Sequence, residues 1–414
     1  MLPAEPHDAS GSVTRSAACY SFGRGPANPL RILHIVATIS PAAGGPSEAI
    51  QMLIRYAPPG DTAELATLDD PAAEFLAALP FPVHAFGSGK HRWWRPALLR
   101  WLHANRSRFD GVLVHGLWEY TGWAARRAFA GKVPYAVFPH GMLDPWFKRT
   151  YPAKHLKKWL YWLFAEYWNL RSATRVLFTT ETERRLALHT FWPAHWTPQI
   201  TPLGSEPPPA DTAPLLDAFY ARCPELRGKR FLLFLGRIDP KKGCDLLVDA
   251  FAAYDPVAMD DPGLHIVMAG PESGDYGNAL RRKVDASGFA DRIHWPGMIL
   301  GDAKWGALAA CEAFILPSHQ ENFGIAVVEA LASGKPVLIS DQVNIAPEIA
   351  AAHCGLVEPD TLAGTRQLLE RWLAMDTDAR AAMSDNARRK FSADYDMRRN
   401  AAAVLSVFMP TEDR

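Results

Sequence analysis

The chain has 414 residues, 48% hydrophobic and 21% charged, with a mean hydropathy of -0.10. That length calls for two cores rather than one, and the composition excludes an intrinsically disordered or collagen-like chain. Basic and acidic residues balance at 44 each, so no overall field marks nucleic acid as a partner; yet residues 1–205 carry 22 basic and 14 acidic side chains and the remainder 22 and 30.

Residues 1–29 lack a continuous apolar run and read as a loose tail, and no stretch reaches the roughly 18 apolar residues that span a bilayer. From Arg31 onward, RILHIVAT, VHAF, GVLVHGL, PYAVFPHG and RVLFTT predict buried parallel strands separated by helical stretches, giving a first domain over 30–205. EPPPADTAP follows Gly204; its prolines resist helix and sheet, which places the linker there. The rhythm restarts over 206–394 with FLLFLGR, LHIVMAG, RIHWPGM, AFILPS and PVLISD, and residues 395–414 are expected to form a helix that returns to the first domain. The fold class is therefore α/β, with two doubly wound, Rossmann-like parallel-sheet domains and the default ligand site in the cleft between them. Cys19, Cys223, Cys244, Cys311 and Cys354 are odd in number and form no C-x-x-C pair, so neither a disulfide framework nor a structural metal is expected, and a reducing cytoplasm is.

The motifs narrow the chemistry. The first strand is followed by TISPAAGGPSEAI, which lacks G-x-G-x-x-G, and FLGRIDPKKG lacks the G-K-[ST] order of a phosphate-binding P-loop, so NAD and ATPase readings fail. Gly44 and Gly45 are adjacent, and Gly45, Pro46 and Ser47 offer a helix opening with proline in its first turn, either a tight βα turn or N-H groups for an anion or sugar hydroxyl. Arg237, Lys241 and Lys242 follow a buried strand and suit a diphosphate, or are solvated cations. In HQENFGIAVVEALASG, Glu321 and Glu329 stand eight positions apart, close to the about 7.2 residues of two helical turns, so both can face the cleft. Asn322, Phe323 and Gly324 form the helix entrance, whose free N-H groups suit phosphate or sugar. Glu329 lies in an apolar run and requires a partner.

ENFGIAVVE resembles the E-x7-E motif of retaining glycosyltransferases of group 1, which have the GT-B fold; GRIDPKKG, HWPGM, LPS and GKPVLISD join it in order, and the resemblance covers essentially Arg31 to the end. The resemblance implies that Arg237 and Lys242 bind a donor diphosphate, Glu329 the nucleotide ribose, Glu321 the donor sugar, and the backbone at Gly297 and Met298 the nucleobase. PHGMLDPW resembles the family's H-G segment, which implies that His140 lies by the anomeric centre and that Gly44 and Gly45 form the glycine loop. Asp144 is a further polar candidate or a turn cap. The family's linker-proximal asparagine is replaced in TPLGSE, so its contact does not carry over. The implied reaction is retaining transfer of a hexosyl residue from a UDP- or GDP-linked sugar to a hydroxyl acceptor, a lipid-linked glycan of polysaccharide synthesis, with the nucleotide diphosphate sugar as co-substrate, no cofactor and no metal. A sugar-nucleotide epimerase and a non-catalytic sugar-nucleotide-binding protein are the alternatives. Eleven of 14 tryptophans lie between Trp93 and Trp196 among lysines and arginines, a pattern that fits an anionic membrane surface at the inner face of the cytoplasmic membrane and equally an aromatic core.

Overall fold

A computed structural model describes residues 29–87, 94–253, 263–272 and 274–409. The expected tail up to residue 28, Trp93 and residues 410–414 of the closing segment lie outside the described residues.

The strands are buried on both faces at the centre of each sheet, where the runs rich in Val, Ile, Leu and Phe lie, and are partly exposed at the sheet edges. In the first sheet these are β1 (Arg31–Val36), β2 (Thr62–Thr67), β3 (Val83–Ala85), β4 (Gly111–His115), β5 (Tyr135–Phe138), β6 (Arg175–Phe178) and β7 (Pro198–Ile200). They are parallel throughout, in the order β3-β2-β1-β4-β5-β6-β7. The second sheet holds β8 (Arg230–Leu235), β9 (Leu264–Ala269), β10 (Ile293–Gly297), β11 (Ala313–Leu316), β12 (Val337–Ser340) and β13 (Gly355–Glu358), again parallel, in the order β10-β9-β8-β11-β12-β13. Phe231, Phe234 and Phe314 are fully buried in it, and truncating a core phenylalanine costs about 3–5 kcal/mol.

Each sheet reverses its winding once, between β1 and β4 and between β8 and β11. Crossover helices leave a crevice at such points, above the carboxyl ends of the strands, and the two crevices share one cleft of about 650 Å³. The helix Met397–Leu405 packs against Gly45–Arg55, and Phe408 fills the space beside Gly111. Chain crossings at Ser205 and Asp396 lie side by side: Ser205 N-H donates to the Tyr395 carbonyl at 3.0 Å and Met397 N-H to the Ser205 carbonyl at 3.0 Å.

The tryptophan-rich segments are largely interior. Trp162 is fully buried, and Trp101, Trp118, Trp123, Trp159 and Trp196 pack against the first-domain core. The apolar side chains turned outward along 152–168 are Leu156, Leu160, Leu163, Phe164 and Trp168, with Phe164 78% exposed. No helix among the described residues is long and apolar enough to cross a membrane.

Candidate active site

The loop after β8 and the segment after β11 supply the charges of the second domain. The chain leaves β8 at Gly236, and a short turn over Pro240–Lys242, capped by Asp239 accepting from Lys241 N-H at 3.0 Å, aims Lys241 and Lys242 at the cleft. Lys242 Nζ pairs with Glu321 Oε2, both mostly buried. Burial alone would raise the Glu321 carboxyl, but Lys242 and Lys241 outweigh it and hold the group below its usual range. Burial draws Lys241 down to about 8, and its ammonium rests over Trp146 and Phe147 at 5.6 and 5.2 Å. Arg237 lines the cleft, is exposed, and makes no ion pair among the described residues.

Glu321 and Glu329 both line the cleft, but not as two positions of one helix. The helix begins at Ile325, preceded by Gly324 in the left-handed region at φ 74°, while Glu321 forms an isolated bridge to Val343. A left-handed cap breaks the helical phase between the carboxylates, so each has its own cation. Lys304 Nζ lies 2.6 Å from Glu329 Oε1 and 3.3 Å from Glu48 Oε1 of the first domain. Burial pushes the Glu329 carboxyl up and Lys304 opposes it; burial would lower Lys304, but Glu329 and Glu48 outweigh it and hold the ammonium up.

The first domain presents Gly44, Gly45 and His140. Gly44 sits at φ 73° as the helix cap, with open space where a side chain would be, and Gly45 lies against Ile325 of the second domain. His140 follows β5 with φ 50° and Gly141 with φ 74°, a strained pair for any sequence but one ending in glycine. Buried Glu183 secures that turn by accepting from Gly141 N-H at 2.7 Å and from Thr179 N-H at 2.7 Å. Behind His140, the Nδ1 of His115 is 3.1 Å from His140 Nε2, and His34 Nδ1 is 3.0 Å from His115 Nε2. Burial draws His140 down to about 4 and His34 to about 3, so both rings are neutral.

The segment 318–324 ties the domains together. Gln320 Nε2 donates to Asp144 Oδ2 at 3.0 Å, and Asn322 Nδ2 to Thr179 Oγ1 at 3.3 Å. The Asn322 amide nitrogen thus reaches across to the facing domain, while the residue also borders the cleft. Phe323 is buried against Tyr395, with ring centroids 5.7 Å apart, and borders the cleft beside Gly324. Gly297 does not line the cleft: its carbonyl accepts from Gly270 N-H at 2.8 Å within the sheet, and Met298 is the residue that borders the opening. Among the described residues no group of three or more His, Cys, Asp or Glu is placed to hold a metal ion.

Sequence reasoning missed Glu48, Lys304, Glu183, His34 and His115. Glu183 carries a local signal, since Thr180 and Glu183 form a T-x-x-E helix start in which Thr180 Oγ1 accepts from Glu183 N-H at 2.9 Å. The others come together only by tertiary folding.

Residues 222–390 match the family Glycosyl transferases group 1, and residues 44–197 match the Glycosyl transferase 4-like domain. The chain is built of two glycosyltransferase domains. D-inositol 3-phosphate glycosyltransferase of Jonesia denitrificans is 32% identical over 191 residues, 44% of this chain and 43% of that protein. Lipopolysaccharide core biosynthesis mannosyltransferase LpsB of Rhizobium meliloti is 28% identical over 187 residues, 44% of this chain and 51% of that protein. The chain thus spans about half the length of the curated relatives it matches. The structure of Anabaena HepE in complex with UDP and glucose superposes with a TM-score of 0.69 at 18% identity, covering 91% of this chain and 98% of that one. At that identity the likeness is one of fold, and the fold is GT-B.

Proposed function

We propose that this two-domain chain is a retaining glycosyltransferase that moves a hexosyl residue from a nucleotide diphosphate sugar to a hydroxyl acceptor, in the synthesis of a cell-surface polysaccharide. One observation carries the reading: Lys242 paired with Glu321, with Lys241 and Arg237 beside them, at the carboxyl end of β8 and under the helix entrance at Gly324. Three cations and a helix N-terminus stabilise the negative charge that develops on a departing diphosphate. Glu321 and His140 then border the transferred sugar, and Glu329 the ribose. Front-face attack assisted by the leaving phosphate gives retention with no covalent intermediate, and the contacts of segment 318–324 with the first domain exclude water. HepE is solved with UDP and glucose, which favours a nucleoside diphosphate hexose as donor, and LpsB is a lipopolysaccharide core mannosyltransferase, which favours a lipid-linked glycan as acceptor. A thermal-shift screen of UDP- and GDP-sugars tests the donor, because a ligand at 100 times its dissociation constant adds about 2.7 kcal/mol. NMR of the product from an α-linked donor tests the stereochemistry: an α-linkage is expected, and a β-linked product refutes retention. On this reading the cations take the charge-stabilising role of a divalent metal, so transfer should persist in EDTA; loss restored by magnesium or manganese would overturn that part.

A second observation favours a peripheral position on the cytoplasmic membrane. Leu156, Leu160, Leu163 and Phe164 form one exposed apolar row, beside exposed Lys154 and Lys157, on a half-chain rich in basic residues. An apolar row flanked by cations suits an anionic bilayer, each lysine adding about 1 kcal/mol. Lys158 contributes less, since its ammonium lies 4.5 Å from the Trp118 ring. The variant Leu160→Glu with Phe164→Glu should lose flotation with anionic liposomes, and wild-type protein that never floats at low salt would refute the position.

A further inference from the structure

His34, His115 and His140 come from three different strands or strand ends, yet the sheet aligns them. Val36 is in register with His115, and His115 with Phe138. Side chains alternate with a period of two, so His34, His115 and Phe138 share one face, and the turn after β5 brings His140 back beside Phe138, with ring centroids 5.4 Å apart. The rings are nearly parallel, with centroids 5.3 Å apart for His34 and His115, 5.6 Å for His115 and Phe138 and 5.4 Å for His115 and His140, and the imidazoles meet edge to edge through their nitrogens.

Two hydrogen bonds then restrict the protons. A neutral imidazole has one N-H and one lone pair. If His34 donates from Nδ1 to His115 Nε2, then His115 carries its proton on Nδ1 and donates to His140 Nε2, which leaves the proton of His140 on Nδ1. If His140 donates from Nε2 instead, every step reverses and all three protons lie on Nε2. Both bonds can be made only when the three rings hold the same tautomer.

We propose that His34 and His115 are positioning residues that set the hydrogen-bonding polarity of His140 toward the cleft. This rests on the reading that His140 borders the transferred sugar. With Nε2 engaged, Nδ1 is the nitrogen left for a sugar oxygen: it donates in one state of the chain and accepts in the other. The ring is neutral in both, so it meets a hydroxyl or ring oxygen without adding a charge beside the developing oxocarbenium. Phe138 packs beside both His115 and His140, with ring centroids 5.6 and 5.4 Å away.

NMR of protein labelled with 15N-histidine tests the coupling without any assay, using single histidine replacements for assignment. The three rings are expected to be neutral near pH 7 and to share one tautomer; unlike tautomers would overturn the proposal. In His115→Phe, which keeps an aromatic ring in that place, the His140 resonances should move to a mixture of tautomers, and unchanged resonances would overturn it. For transfer, His115→Phe should lower kcat about tenfold with nucleoside diphosphate affinity held within about twofold, and His115→Asn, which restores a hydrogen-bonding group near Nδ1, should recover most of the loss. Equal loss in both variants would mark His115 as merely structural. Coupled tautomers without transfer from any nucleotide sugar would refute the transferase reading and leave the coupling intact.

Discussion

Gly141 of the first domain and Asn322 of the second meet with no room for a side chain between them: a carbon added at the glycine would stand 2.7 Å from Asn322 Cβ. Asn322 cannot readily give way, because Asn344 Nδ2 donates to its Oδ1 at 3.2 Å while its own Nδ2 reaches Thr179. Gly141→Ala therefore meets both a left-handed backbone, at about 1–2 kcal/mol, and a collision across the cleft. The expected outcome is a lowered melting temperature together with reduced transfer. A variant with unchanged melting and unchanged rate would show that the domains do not work at this separation.

Arg237→Ala and Lys242→Ala should each weaken binding of free nucleoside diphosphate, since each removes a charge-assisted bond of about 1.5–3 kcal/mol. Lys242→Ala has a second effect: Glu321 loses the cation that holds its carboxyl low, and burial then raises it. Calorimetry separates the two, because only Lys242→Ala should make affinity depend on pH in the carboxylate range. Unchanged affinity in both folded variants removes these residues from the phosphate site.

The glutamates should fail differently. Glu321→Gln lowers turnover while nucleotide affinity holds or tightens, because Lys242 is freed from its pair. Glu329→Gln chiefly weakens the nucleotide and leaves Lys304 with Glu48 alone. Saturation kinetics beside calorimetry of UDP or GDP reads both effects, and a common pattern for the two variants would refute the division of labour.

Glu166 gives a stability prediction unconnected to the cleft. Burial pushes its carboxyl up to about 7, although Asn169 Nδ2 and Trp118 N-H both donate to it at 2.8 Å. A carboxyl with a higher pKa folded than unfolded binds more protons in the native state, so its contribution weakens as pH rises from about 4.5 to about 7, by on the order of 3 kcal/mol. Glu166→Gln removes this slope and raises the melting temperature above pH 7, with Asn169 turning its amide to match. Melting curves from pH 5 to about 8 decide it: an identical slope in the variant means another group titrates.

Much of the architecture was legible in the order of residues. Continuous runs such as FLLFLG and AFILPS have no reading except buried parallel strands, and their carboxyl ends located Arg237, Lys242 and Glu321. Three strands escaped notice: TAELAT is interrupted by alanine and glutamate, PQI starts with proline at a sheet edge, and GLVE has only two apolar residues between glycine and glutamate. The helical spacing drawn between Glu321 and Glu329 reached the right neighbourhood by a route the chain does not take, because Gly324 interrupts it. Glu48 and Lys304 were illegible for a plainer reason. They are 256 positions apart, on the surfaces of two helices, and acquire meaning only where those helices face each other.

The doubled crossing at Ser205 and Asp396 makes the second domain an insert within the first, with its entry and exit bonded to each other. Gly204 is pressed against the Tyr395 carbonyl, where an added carbon would stand 2.1 Å away, so the junction is closed tightly. A joint with two adjacent passages resists twisting far more than one with a single passage, and it leaves bending about the line through both as the soft motion. Any opening of the cleft should accordingly follow bending about the line through residues 205 and 396, like a book bound along its spine.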